Sequence, residues 1–158
     1  MNLLYANDTK NTYPNSWYAA TCEPLAQCRA LRGDQRADVC VIGAGFTGLS
    51  TALHLAKAGH SVIILEAQRI GFGASGRNGG QLGSGQRVDQ RDLQQMVGAE
   101  YARLLWELAE ESKATVVSLI KEHGIACALK PGIAHFGFQE KEMREIHDEA
   151  EFLDTTYG

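Results

Sequence analysis

No stretch of about 18 or more apolar residues occurs anywhere in this 158-residue chain, so no bilayer-spanning helix and no membrane partner are expected. Positive charge is short as well. Lys and Arg number 15 against 19 Asp and Glu, a formal net charge of −4, which leaves no basic footprint and argues against a nucleic-acid partner. The opening, Met1 to Lys10, has no basic segment followed by an apolar core, so no secretory signal is read there and a cytoplasmic setting is expected. Cysteine is scarce: Cys22, Cys28, Cys40 and Cys127 show no CxxC spacing, and they are read as reduced structural thiols rather than as a metal or redox pair. Cys40, inside an apolar run, is expected to behave as a small buried hydrophobe. Internal repeats and low-complexity tracts are also missing. What is present is ordinary for one soluble globular domain, with 44% hydrophobic and 22% charged residues.

The first 36 residues show neither helical nor strand period, and they read as an arm pinned by Trp17 and Tyr18. Asp38 to Ile42 is a short apolar run ending at Gly43, which predicts a strand buried on both faces of a parallel sheet. Thr47 to Ala58 switches to helical spacing with Leu49, Ala52, Leu53 and Ala56 on one stripe, and Gly59 is placed to stop it. Ser61 to Leu65 predicts a second buried strand, closing a βαβ unit. The stretch Arg69 to Gly85 holds 7 glycines from Gly71 onward, too many for a helix or strand interior, so its backbone itself is expected to matter. Helical spacing returns from Asp92 to Glu122, with a break at Gly98 and a stop at Gly124. Ala126–Leu129 and Ile133–Phe138 read as short strands about a Pro131-Gly132 turn, and Glu140–Leu153 as a charged amphipathic helix. The resulting division is an arm over 1–36, a nucleotide-binding α/β region with a helical insertion over 37–124, and the beginning of an α+β substrate domain over 125–158. A buried parallel sheet needs more than two strands. The chain is therefore expected to be the N-terminal portion of a larger fold, with the remaining strands supplied by residues beyond Gly158 or by another chain.

The chemistry concentrates in Gly43-Ala44-Gly45-Phe46-Thr47-Gly48, a G-x-G-x-x-G placed where a strand ends and a helix begins. A bare glycine-rich turn has the same letters, but here strand, helix, second strand and terminal acid follow in the order a dinucleotide site needs. Gly43 permits the tight turn, Gly45 lets the backbone approach a pyrophosphate, and Gly48 lets helix pack closely on strand. The free N–H groups of the helix start, with its dipole behind them, then bind an anion without a cationic side chain. Glu66, at the carboxyl end of the second strand, can accept both hydroxyls of an adenosine ribose and would repel a 2′-phosphate, which disfavours NADP. FAD and NAD both present an ADP half to this fold, so these residues leave the two open. The loop Arg69-Ile70-Gly71-Phe72-Gly73-Ala74-Ser75-Gly76-Arg77-Asn78-Gly79-Gly80-Gln81 adds backbone amides, a hydroxyl and an amide side chain facing something extended, polar and flat. It interleaves Arg, Phe and Asn in a way a plain glycine linker does not.

On these residues the block from Asp38 to Gln81 resembles the FAD-dependent oxidoreductases of the D-amino-acid-oxidase-like superfamily, dense to Leu82 and thin afterwards. Trp17-Tyr18-Ala19-Ala20 is similar to the arm of its amine-oxidising members, and Pro131-Gly132 falls at a similar turn. The resemblance implies a Rossmann-like FAD-binding βαβ domain, incomplete in this chain, with FAD as the cofactor. It implies that Gly43, Gly45 and Gly48, with Phe46 and Thr47 between them, lie against the pyrophosphate, and that Glu66 holds the adenosine ribose. Arg69 and Ser75 are placed near ribose and phosphates. Asn78, Gly79, Gly80 and Gln81 approach the isoalloxazine, and Ala67, Gly73, Ala74 and Arg77 complete the expected cofactor-binding set. It assigns no catalytic acid or base, because the ring carries the chemistry. The activity implied is oxidative deamination of a small-molecule amine, gamma-glutamylputrescine or a related primary or secondary amine, with hydride transfer to flavin N5 and release of hydrogen peroxide. Glycine, sarcosine or a D-amino acid is the alternative substrate, and a non-catalytic nucleotide-binding fragment is the alternative from another class. The later substrate sheet and the carboxyl-terminal glycine motif of the family are not in this sequence, so catalysis is expected of the complete protein rather than of this chain alone. His123 and His135 are read as structural, Glu107, Glu110 and Glu111 as a solvated helix face, and Tyr101 and Trp106 as core or domain contacts.

Overall fold

The computed structural model describes residues 8–23 and 25–158. The first seven positions of the arm, and with them most of the segment read for a secretory signal, lie outside the described residues. The chain divides into two compact units, Met1–Gly79 and Gly80–Gly158. Among the described residues no helix is long and apolar enough to cross a membrane.

The first unit is mixed α/β. A short helix α1 (Trp17–Thr21) is opened by Ser16, whose hydroxyl accepts from the Ala19 amide at 3.2 Å. Strand β1 (Val39–Ile42) leads through the glycine turn into helix α2 (Phe46–Lys57) and on to strand β2 (Val62–Leu65). The strands are parallel, in register Val39↔Val62, Cys40↔Ile63, Val41↔Ile64 and Ile42↔Leu65. β-branched residues make up all of both strands but Cys40 and Leu65, because a branched Cβ fits a pleated, partly covered surface. Helix α2 stops where the sequence says it should. The Gly59 amide donates to Ala56 and the His60 amide to Leu55, at 3.0 and 3.1 Å, with Gly59 at φ +92°; this is a Schellman closure, which needs the left-handed conformation that glycine adopts freely. At the other end of the strands the Asp38 carboxylate accepts from the Ser61 amide and hydroxyl at 2.8 and 2.7 Å, clipping the two strand starts together.

Three expectations for this unit need correction. β1 is not buried on both faces: its residues alternate between half-buried and exposed, Ile42 is 77% exposed, and Cys40 is an exposed free thiol. Side chains along a strand alternate in direction. Val39 and Val41 therefore face one side, where α2 packs on both strands, while the described residues put nothing over the other. The arm is not pinned by Trp17 and Tyr18, which are 76% and 48% exposed. It is held instead through Asp8, Asn11, Tyr13 and Leu25, which bond the loop that follows β2. Finally, of the stripe read on α2 only Ala52 is fully buried, with Leu49 and Ala56 exposed.

The second unit is helical. Helices α3 (Gln90–Val97) and α4 (Ala99–Glu122) meet at Gly98, φ +83°, whose amide closes the first while its carbonyl accepts from Ala102 to open the second. Leu93 and Ala102 are the buried apolar residues of the pair, and the buried Gln90 side chain donates to the Ala102 carbonyl at 2.9 Å. Helix α5 (Glu140–Tyr157) begins where the Glu142 carboxylate accepts from the Phe138 and Gln139 amides at 2.7 and 3.2 Å. Its far end is tied down by Tyr157, which packs its ring 5.0 Å from that of Trp106 and whose hydroxyl bonds the Gln94 amide at 2.6 Å. Arg91 adds a 2.9 Å bond to Glu149 and lies 4.0 Å over the Phe152 ring.

Trp106 is thus a packing residue, as read, whereas Tyr101 is 65% exposed. Glu110 is not a solvated side chain: it is half-buried and ion-paired with Lys113, which also donates to Ser84 at 2.7 Å. The strands expected at Ala126–Leu129 and Ile133–Phe138 do not form; the segment is irregular, and Phe136 and Phe138 are 81% and 98% exposed. A strand exists only through the backbone hydrogen bonds of a neighbour, and among the described residues none lies alongside.

Candidate nucleotide site

The site is the junction of the turn at Gly43–Gly48 with the loop that leaves β2. The turn has to be glycine-built. Gly43, at φ +95°, ends β1 and donates its amide to the Leu65 carbonyl at 2.7 Å, and space is open where its Cβ would be. At Gly48 the requirement is steric, since a Cβ there would lie 2.0 Å from the Gly43 carbonyl oxygen. The two glycines let the chain reverse and let the first turn of α2 sit against the strand it left, with Val41 beneath it.

Three cross-links then tie the turn to the following loop. The Glu66 carboxylate accepts from the Ala44 amide through Oε2 and from the Gln68 amide through Oε1, both at 2.8 Å. The Gly71 amide donates to the Ala44 carbonyl at 2.9 Å. The Ser75 hydroxyl accepts from the Phe46 amide, also at 2.9 Å, which caps a helix whose own N-cap, Gly45, has no side chain to do so. Ala44, at the centre of these links, is 2% exposed. Glu66 thus holds the turn as well as facing it. Each carboxylate oxygen can accept two hydrogen bonds, so acceptor capacity remains after the two amides are satisfied.

The remaining predicted residues separate into those the loop turns inward and those it turns elsewhere. Gly45 stands against Ser75, whose Oγ would be 3.0 Å from a Cβ at that position. Phe46 and Thr47 expose their side chains and contribute backbone to the helix start. Gly73, Ala74 and Ser75 form a 3₁₀ turn over Ala74–Gly76. Asn78 donates to the Ser75 carbonyl at 2.9 Å, so its amide shapes that turn. Ala67, Gly79, Gly80 and Gln81 are exposed, the last two opening the second unit as irregular chain. Neither arginine serves the turn. Arg69 donates to the Leu25 carbonyl at 2.8 Å and lies 4.6 Å over the Tyr13 ring. Arg77 pairs with Asp8 at 3.0 Å and donates to the Phe72 carbonyl at 2.9 Å. The helix start is left with amide donors and the positive end of the dipole, the arrangement suited to a diphosphate. Gly71 was read only as part of the glycine-rich loop, and sequence reasoning missed Gln68 and the arm residues Asp8, Asn11 and Tyr13, which carry no motif and pair with one another or with residues remote in sequence.

The residues present fit the ADP half of a dinucleotide. Backbone approaches freely at Gly43, a capped but cation-free helix start follows, and a strand-end carboxylate lies against the same turn.

A parallel strand pair, a crossover helix and an acid returned to the glycine turn define a nucleotide-binding βαβ unit. Residues 38–158 match the family described as FAD dependent oxidoreductase, DAO, and the chain belongs to that family. It is 40% identical over 139 residues to the gamma-glutamylputrescine oxidoreductase of Escherichia coli (strain K12), covering 88% of this chain and 33% of that one. It is 38% identical over 143 residues to the probable oxidoreductase OrdL of Rhizobium meliloti (strain 1021), covering 90% and 33%. A weaker likeness, 27% over 151 residues, 95% of this chain and 29% of the other, links it to the putative Rieske 2Fe-2S iron-sulfur protein YhfW of Bacillus subtilis (strain 168). The chain therefore spans about a third of the length of the first two relatives, 33% of each. No solved structure matches it significantly.

Proposed function

We propose that this chain is the FAD-holding front part of an amine oxidase, with gamma-glutamylputrescine as the first substrate to test. The observation that carries the reading is the contact of Glu66 with the Ala44 amide at 2.8 Å: the acid read for the ribose lies against the turn read for the phosphates. In this reading the amides at the start of α2 bind the pyrophosphate, with Gly45 allowing close approach. Glu66 uses its remaining lone pairs for the adenosine ribose. Asn78, Gly79, Gly80 and Gln81 present main chain toward the flavin. When bound, FAD supplies a two-electron acceptor for the amine carbon, with oxygen as terminal oxidant and hydrogen peroxide as product; the described residues bind and orient. The substrate is suggested by the name of one relative, and the names of the relatives differ, so this part of the chain is read as the cofactor's share of the fold.

The whole protein is expected to purify yellow and to form peroxide with gamma-glutamylputrescine in preference to glycine, sarcosine and D-amino acids. Glu66→Gln, which keeps one acceptor oxygen and loses the charge, is expected to weaken FAD binding about tenfold, the effect of losing one charge-assisted hydrogen bond. A wild-type preparation that stays colourless after reconstitution with FAD would refute the assignment.

A further inference from the structure

We infer that the arm is a strap that sets the cofactor loop, with Tyr13 and Asp8 as its positioning residues; the inference rests on the nucleotide reading above. The loop from Glu66 to Arg77 has two sets of contacts. Glu66, Gly71 and Ser75 reach the glycine turn. Gln68, Arg69, Ile70 and Arg77 reach the arm. Tyr13 donates its hydroxyl to the Ile70 carbonyl at 2.7 Å, the Asn11 amide donates to Gln68 Oε1 at 2.7 Å, and Asp8 pairs with Arg77 at 3.0 Å. Arg69 completes the set by stacking on Tyr13 and bonding the Leu25 carbonyl. The two sets alternate along the chain, with Ile70 held by the arm and Gly71 by the turn, so fixing one fixes the other.

The loop cannot hold this shape alone. Gly71 lies at φ +69°, Gly73 caps the 3₁₀ turn and Gly76 ends it, and glycines lose the most freedom on ordering. A strap that raises the population of the ordered loop raises apparent affinity by the same factor. The arm also engages both arginines of the loop, which leaves the anion site to backbone amides.

The test uses the full chain with Tyr13→Phe, which removes the donor and keeps the ring under Arg69, with Asp8→Asn, and with Asp8→Glu. Hydrogen exchange in the cofactor-free protein is read at Gly71 and Phe72 and, as an internal control, in β1 and β2. Tyr13→Phe and Asp8→Asn are expected to speed loop exchange while leaving the strands protected, and to weaken FAD binding about three- to tenfold, the range one lost hydrogen bond allows. Asp8→Glu is expected to restore both. Loop exchange unchanged in both variants overturns the strap, as does equal loss of protection in loop and strands, which would mark a merely structural arm. Faster loop exchange with unchanged or tighter FAD binding overturns the positioning role. A wild-type protein that binds no FAD sinks the nucleotide reading instead, because the exchange rates test the strap independently of the cofactor.

Discussion

The two units reach order by different means. In the first, the decisive contacts are made by backbone and by the shortest residues: Ala44 and Ala52 are two of its buried positions, with Phe72, and the turn is stitched to the loop by amides, a carboxylate and a hydroxyl. In the second, long side chains on helices do the joining, through Leu93 on α3, Trp106 against Tyr157, and Arg91 on Phe152. The first mode leaves amides and small residues facing a site, which is what a ligand with a diphosphate requires. The second fixes helices, and its polar groups pair with one another, as Lys113 does with Glu110 and Ser84. The contrast teaches where tolerance should lie: the first unit should be sensitive to adding one carbon, the second to removing several.

The largest expected effect is accordingly Gly48→Ala. The added Cβ would meet the Gly43 carbonyl oxygen at 2.0 Å, and that oxygen belongs to backbone that cannot swing aside. Overpacking of this kind costs about 3 kcal/mol or more where neighbours are rigid. Hydrogen exchange should show β1, α2 and β2 losing protection while α3 and α4 keep theirs, and FAD should be lost with the turn. Normal protection of the strands in this variant would break the comparison, because it would mean the helix start is free to move.

Next is Leu93→Ala. Leu93 on α3 is 7% exposed in a helix pair where Ala102 on α4 is 0% exposed, and deleting a buried leucine side chain costs about 2–4 kcal/mol. Here protection should fall in α3 and α4 and be retained in β1 and β2, with FAD affinity changed less than by Gly48→Ala. Loss of protection in both units would show that they unfold as one.

How much of this was legible follows the same division. Local pattern carried the pieces that close on themselves. Gly59 and Gly124 end their helices with Schellman contacts inside the last turn, Gly98 breaks α3 from α4, and β1, α2 and β2 fall within a residue or two of the periodic runs. The acid at Glu66 was legible too, because spacing from the glycine turn specifies it. Pattern failed where a contact is non-local or a partner is needed. Nothing in the letters around Tyr13 says that its hydroxyl reaches Ile70, and Trp17 and Tyr18, which look like anchors by size, are exposed. Cys40 and Ile42 read as buried because an apolar run does not reveal whether one face or two is covered. The segment around Pro131-Gly132 has strand composition but pairs with no strand among the described residues. Glu110 read as solvated because helical spacing, which puts Lys113 beside it, does not reveal that Ser84 lies close as well.

The smallest expected effects come from two carboxylates, one in each unit, both held below the ordinary carboxylate range. For Asp38 the main cause is the hydrogen bond from the Ser61 hydroxyl, followed by the Ser61 amide. For Glu110 it is the hydrogen bond from Lys113, with burial opposing it and Ser84 assisting. A depressed folded-state value means that each group contributes its stabilisation above its unfolded value and loses it as pH falls through the folded one, so both terms fade on the acid side, below about pH 4. The main causes differ as the units do: a neutral hydroxyl and amide in the first, with the charge of His60 a smaller contribution, and a cation in the second. Ser61→Ala should raise the Asp38 titration while leaving it below the ordinary range, since the amide remains; Lys113→Gln should raise that of Glu110. At about 1 M salt, where screening acts over about 3 Å, the Glu110 titration should move up and that of Asp38 should move less, by the share that His60 contributes. Side-chain carboxyl NMR titration reads all three outcomes, and an Asp38 value that followed salt as closely as Glu110 would show that charge, rather than fixed dipoles, sets the strand junction.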